Sequence, residues 1–210
     1  KVDEFGIDIC ITGSHKCIAA PPGLALVSVS ERAWDKIERK KRRPPYFDLV
    51  KYRHFLDERM ETPFTPAVPL FWGLDMALKI VVETGVERWI ERHKSGAAAL
   101  YAGLEKLGLR FYSDDDFRSP TVAAMHLPQG LTDSAIREKM VKEHGILIAG
   151  GLGPYKGKMF RISSMGNVSG EKILKTLDAL GKTLAGLGLS VNPHEAVEAA
   201  REKLEKTWPG

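Results

Sequence analysis

The chain has 210 residues, 43% of them hydrophobic, enough to bury a sizeable core in one large or two small domains. A net charge of +4 with acids and bases interleaved leaves no strong nucleic-acid footprint, and no apolar run reaches membrane-spanning length. The two cysteines, Cys10 and Cys17, flank one short segment, so a reducing, cytoplasmic setting is expected rather than a disulfide framework.

Along the chain, "FGIDICIT" reads as a buried strand, and "LALVSVS" as a second one after the Pro21-Pro22-Gly23 turn. Ser30 is placed to cap a helix over "ERAWDKIERK". "KRRPPYFDLV" then reads as a loop, because Pro44-Pro45 cannot continue a helix. Pro63, Pro66 and Pro69 hold the next stretch extended, and a helix is expected from near Val68 to Gly85. A longer helix follows, with Trp89, Ile90, Ala97, Leu100, Leu104 and Leu107 at helical spacing and Gly108 as its stop.

The second half changes rhythm. "LRFYS", "PTVAAMHL", "ILIAGG" and "KMFRISS" look like short strands, and "LTDSAIREKMVKEHG" is a capped helix. "SGEKILKTLDALGKTLAGL" has an apolar stripe of Ile173, Leu174, Leu177, Leu180, Leu184 and Leu187. A charged helix, "PHEAVEAAREKLEKTW", trails behind as a tail. This order is expected to give an α/β fold: residues 1–85 the end of a larger domain, 86–192 a small α+β domain, and 193–210 the tail. Two leading strands cannot make an independent sheet, so they must pair with another chain or belong to an incomplete domain. Gln129, Asn167 and Asn192 are the only side-chain amides beside plentiful Lys, Arg and Glu, a bias also found in heat-adapted proteins.

Several residues invite chemistry. Lys16 follows a strand among small residues, a layout that suits Schiff-base formation, although an exposed lysine after a strand needs no function. Cys10, His15 and Cys17 lack zinc spacing and a fourth ligand, so no metal is expected. "GGLGPYKGK" fails as a nucleotide loop, because Gly153 and Gly157 are one residue too close and Met159 stands where magnesium needs Ser or Thr. Its glycines fit either a flexible turn or a close backbone approach to a ligand. Arg161 offers a planar guanidinium for a carboxylate, or is simply a surface arginine. The run from Arg39 to Arg43 is flanked by Glu38 and Asp48 and has no aromatic ladder, so a solvated loop outweighs a nucleic-acid site.

Taken together these segments carry a resemblance. "GSHKCIAAPPGLALVSVSERAW", "TPFTPAVPLFWGLDMAL" and "GILIAGGLGPYKGKMFRISSMGNVS" resemble, in order, the cofactor-lysine, Thr-Pro and substrate-arginine segments of class V, fold-type I pyridoxal-phosphate aminotransferases. The nearest branch is the alanine–glyoxylate, serine–pyruvate and serine–glyoxylate group. The resemblance implies that Lys16 forms the imine with pyridoxal phosphate and moves the substrate's α-proton. It also implies that His15, where the branch often has Gln, lies beside the cofactor phosphate. Thr65 would reach the phosphate of a neighbouring subunit's cofactor, making a homodimer part of the site, and Thr62 stands where some relatives have a phosphate-binding tyrosine. Arg161 would clamp the α-carboxylate, with Gly150 and Gly151 opening the pocket beside it. The substrates implied are an amino acid and a 2-oxo acid such as pyruvate or glyoxylate.

The departure is large. Relatives carry about half their chain upstream of the lysine, with the aspartate for the pyridine nitrogen, a stacking aromatic residue and the phosphate-binding turn. The expectation is therefore a C-terminal part, little active alone, completed by an N-terminal half or a dimer partner. Rival readings are a cysteine desulfurase, which would need a nucleophilic cysteine away from Lys16, and a phosphoserine aminotransferase, which would need more basic residues. A third is a non-catalytic regulatory or assembly subunit derived from the family. No nucleic acid and no membrane are expected as partners.

Overall fold

In the computed structural model, residues 1–209 are described, and the chain divides into two units, Lys1–Ile80 and Val81 onward. The division falls inside a helix rather than at the expected boundary after residue 85.

Unit 1 begins with an antiparallel hairpin. Strand β1 (Ile9–Gly13) pairs with β2 (Ala25–Val29), in a register that sets Ile9 opposite Val29 and Gly13 opposite Ala25. Helix α1 (Glu31–Glu38) starts where Ser30 accepts a hydrogen bond from the Ala33 amide at 3.1 Å. The same hydroxyl donates to Asp8 at 2.8 Å, and Arg32 forks onto both oxygens of that carboxylate at 2.9 Å. A second helix, α2 (Leu49–Arg59), starts in the last two residues of the stretch read as loop; Asp48 caps it by accepting from the Val50 amide. Inside the basic run, Arg43 pairs with Asp48 at 2.8 Å and donates to the Lys40 carbonyl, which ties the loop to the new helix. Helix α3 (Val68–Thr84) then begins where expected.

Unit 1 buries almost nothing. Its only buried residues are Ser14, Ala20 and Ala33. The expectation of a buried first strand is corrected here: Ile9 and Ile11 are 46% and 67% exposed. A two-stranded ladder has one face and two edges uncovered, so its apolar side chains reach the surface unless further strands or helices cover them.

Unit 2 has its own core. Helices α4 (Val86–Lys106), α5 (Asp133–His144), α6 (Gly170–Gly186) and α7 (Pro193–Thr207) pack with a three-stranded antiparallel sheet. Its strands β3 (Val122–His126), β4 (Ala149–Gly150) and β5 (Met159–Ser163) run in the order β3-β5-β4. Leu100, Leu104, Met125, Ile136, Met140, Phe160, Leu177, Leu180 and Leu184 interlock in the interior. The 109–113 stretch contributes only a single bridge, Phe111 to Met125, and the 146–151 stretch forms a strand over two residues alone.

The final helix is not a trailing tail. Ala196, Ala200 and Leu204 are buried in this core, and a Cβ at Gly103 of α4 would meet Leu177 of α6 and lie 2.8 Å from the Ala196 carbonyl. Small residues on α4 and α7 let the two backbones approach closely. Buried His93 ties the loop after β5 to α4. Its Nε2 accepts from the Gly166 amide at 3.0 Å, which leaves the proton on Nδ1, 2.8 Å from the Trp89 carbonyl.

Candidate active site

Lys16 lies in the eleven-residue connection between β1 and β2, three residues past the end of β1. The connection is built around Ser14, which is fully buried. Its hydroxyl donates to the Pro21 carbonyl at 2.6 Å and accepts from the Leu24 amide, while its own amide donates to the Leu24 carbonyl at 3.0 Å. Within that closed loop the Lys16 amide donates to the Gly13 carbonyl, the Ala19 amide to the Lys16 carbonyl, and the Ala20 amide to the Ser14 carbonyl. Two successive turns therefore hold the lysine backbone. Ala19 takes a left-handed conformation, φ 63°, to complete them.

The double proline has a packing role. A Cβ at Gly73 of α3 would lie 2.9 Å from Pro21 Cδ, and one at Gly23 would lie 2.6 Å from Leu70 Cδ1. The start of α3 thus packs on the base of the lysine loop through two glycines. His15 is exposed, and its imidazole lies against Gly13, where a Cβ would come within 2.9 Å of Cε1. The Lys16 side chain is exposed and makes no ion pair among the described residues. Beside it, burial pushes the Cys17 thiol up, which keeps that sulfur a poor nucleophile. No cluster of His, Cys, Asp or Glu able to hold a metal occurs among the described residues.

Thr65 is exposed on the extended segment before α3; the neighbouring Thr62 hydroxyl is committed to the Phe64 carbonyl at 2.6 Å. These residues belong to unit 1. Arg161, Gly150 and Gly151 belong to unit 2 and are brought together there.

Arg161 sits in the central strand, paired with Ala124 on one side and Ala149 on the other. Its Nε donates to the Gly150 carbonyl at 2.8 Å. That bond bends the side chain toward β4 and leaves both terminal nitrogens available as a two-pronged donor. Gly150 and Gly151 are glycines for close packing. A Cβ at Gly150 would lie 2.8 Å from Asp133 Oδ2, and one at Gly151 would collide with the Tyr155 carbonyl and come within 2.8 Å of Met159 Cγ. The 151–159 loop folds back on itself, with the Gly151 amide donating to the Met159 carbonyl at 3.1 Å.

The chain as a whole is matched by known proteins. The sequence profile of the aminotransferase class-V family matches residues 1–168. The chain belongs to the class-V aminotransferases. It is 41% identical over 98% of its length to an uncharacterised aminotransferase of Methanocaldococcus jannaschii, of which it covers 54%. It is also 39% identical over 87% of its length to the alanine–glyoxylate aminotransferase of Callithrix jacchus, of which it covers 46%. Among solved structures, the pyridoxamine–pyruvate aminotransferase of Mesorhizobium loti superposes with a TM-score of 0.92 at 32% identity, over 98% of this chain and 53% of that one. The class-V chain thus spans about half the length of the curated relatives it matches, and its fold is that of fold-type I enzymes. The cofactor of this family is pyridoxal phosphate.

Sequence reading alone missed Ser14, although a serine before a lysine and a double proline was in view. It also missed Asp133, whose position at the start of α5 reads as a first-turn acid and nothing more.

Proposed function

We propose that this chain supplies the covalent lysine and the carboxylate-binding arginine of a pyridoxal-phosphate aminotransferase. The enzyme would move an amino group from an amino acid to a 2-oxo acid such as pyruvate or glyoxylate. The single observation that supports this best is the Ser14-closed loop. It presents Lys16 as an exposed amine with no competing ion pair, among small residues over which a flat ring can lie. That donor set fits a carbonyl-bearing cofactor.

When bound, pyridoxal phosphate withdraws electrons from the substrate's Cα–H bond and stores the amino group between the two half-reactions. Lys16 Nζ would accept the α-proton, as the base that holds and gives back that proton. The terminal nitrogens of Arg161 donate in parallel to the α-carboxylate, while Nε stays on Gly150 and fixes the plane of the fork. His15 and Thr65, both exposed, have N–H and O–H donors suited to a phosphate; Thr65 would serve a neighbouring subunit in a homodimer.

The uncovered apolar surface of unit 1 supports the reading of this chain as a C-terminal part. Ile9, Ile11 and Val27 on the hairpin, with Phe71, Trp72 and Met76 on α3, are all more than 40% exposed. A surface of that kind is normally covered by further protein. The upstream half of the fold is the covering that the length of the relatives implies. Alone, the 210-residue chain is expected to turn over little or no substrate.

The test is borohydride trapping of pyridoxal phosphate followed by peptide mapping, on the chain alone and reconstituted with a polypeptide supplying the upstream half. One label per chain, at Lys16 and absent from Lys16→Ala, supports the assignment. Label at another lysine in the reconstituted protein, or turnover by the chain alone, overturns the corresponding part of it.

A further inference from the structure

Asp133 is 8% exposed, at the first position of α5, and its Oδ1 pairs with Arg137 Nε at 2.9 Å, one turn further along the helix. The carboxylate is turned inward, while Arg137 is 35% exposed. The pair lies against Gly150: a Cβ there would come 2.8 Å from Asp133 Oδ2, 3.2 Å from Oδ1 and 3.3 Å from Arg137 Nε.

Gly150 is the last residue of β4, a two-residue edge strand held to the sheet only by β5. So short a strand has little of its own to fix its position. Yet its carbonyl at Gly150 accepts from Arg161 Nε at 2.8 Å and so sets the side-chain rotamer of that arginine. Alternation along β5 puts Arg161 on the opposite face from its neighbours Phe160 and Ile162, which are buried against the helices. The edge strand is therefore caught between the Arg161 guanidinium and the Asp133–Arg137 pair.

We infer that Asp133 and Arg137 are positioning residues for Arg161, acting through Gly150. The inference rests on reading Arg161 as the carboxylate clamp. Its physical content is that side chains carried on α5, a helix anchored in the core through Ile136 and Met140, give the two-residue strand a fixed surface to lie against. With the pair in place the Gly150 carbonyl is held still, and the guanidinium plane is held with it. A bidentate donor tolerates little rotation, so small shifts of β4 would cost affinity without touching the chemistry at the lysine. A glycine at 150 is required for the contact, since any side chain would push the strand off the pair.

The experiment follows the side-chain Nε–H of Arg161 by NMR in the full chain labelled with nitrogen-15, assigned by its loss in Arg161→Lys. Asp133→Asn and Gly150→Ala are each expected to speed its hydrogen exchange by about tenfold, the effect of losing one hydrogen bond. Backbone amides of Phe160 and Ile162 should exchange at the unaltered rate. Unchanged Arg161 exchange in both variants, or a rise matched by the β5 amides, would overturn the brace, the latter showing mere loosening of the sheet. Acetate, added to the unaltered chain as a carboxylate probe, reads the clamp separately. A moved Arg161 signal supports the clamp; an unmoved one, with the exchange effects present, sinks the clamp and leaves the brace standing.

Discussion

The buried Ser14 hydroxyl donates to the Pro21 carbonyl at 2.6 Å, across seven residues, and this bond closes the loop that presents Lys16. Ser14→Ala removes that donor and also the acceptor for the Leu24 amide. A cost of about 1–3 kcal/mol follows from leaving such groups unpaired. Hydrogen exchange at the Lys16, Ala19 and Ala20 amides should accelerate in the variant; unchanged exchange there would show that the loop closes without Ser14.

Ala19 stores strain in the same loop. A φ of 63° sets its Cβ against the backbone, a cost of roughly 1–2 kcal/mol that glycine does not incur. Ala19→Gly should stabilise the protein, by about 1 kcal/mol at most once the extra freedom of the unfolded chain is counted. Urea unfolding measures this, and a destabilised variant would place Ala19 outside the left-handed region in solution.

Asp8 gives a pH-dependent clip between the hairpin and α1. The Arg32 guanidinium, helped by the Ser30 hydroxyl, holds its carboxyl below the usual carboxylate range. A depressed acid is more stabilising when ionised, so its contribution is present above the unfolded value near ~3.9 and lost as pH falls through the lower folded value. Carbon-13 titration of the Asp8 carboxyl should give a midpoint below ~3.9 that rises in Arg32→Ala. An unmoved midpoint would mean that the fork does not form.

His93 should behave as a structural histidine. His93→Phe keeps the ring volume but strands the Gly166 amide inside the protein. The expected loss is about 2 kcal/mol in urea unfolding, with the Gly166 amide signal the most displaced in the NMR spectrum. A neutral outcome would mean that water replaces the imidazole.

Much of unit 2 was legible from spacing. The stripe through Ile173, Leu177, Leu180 and Leu184 and the caps Thr132 and Ser169 specify their helices locally, because one helix turn and one side-chain acceptor suffice to define them. Lys16 and Arg161 were singled out by resemblance to a family, since the local layout by itself fits an exposed lysine after a strand and a surface arginine equally well. What neighbouring residues cannot state is where distant segments touch. The α7 helix reads as a charged tail until Ala196 and Ala200 meet α4 and α6, where small size rather than hydrophobicity matters. Strand β1 reads as buried, yet its exposure depends on what else covers the hairpin, and no property of Ile9 or Ile11 carries that information. The pair behind Gly150 joins residues 133, 137, 150 and 161. Local pattern determined the helices; only tertiary packing decided which carbonyl the Arg161 Nε meets and which carboxylate lies behind Gly150, because a hydrogen bond depends on position in space and not on separation along the chain.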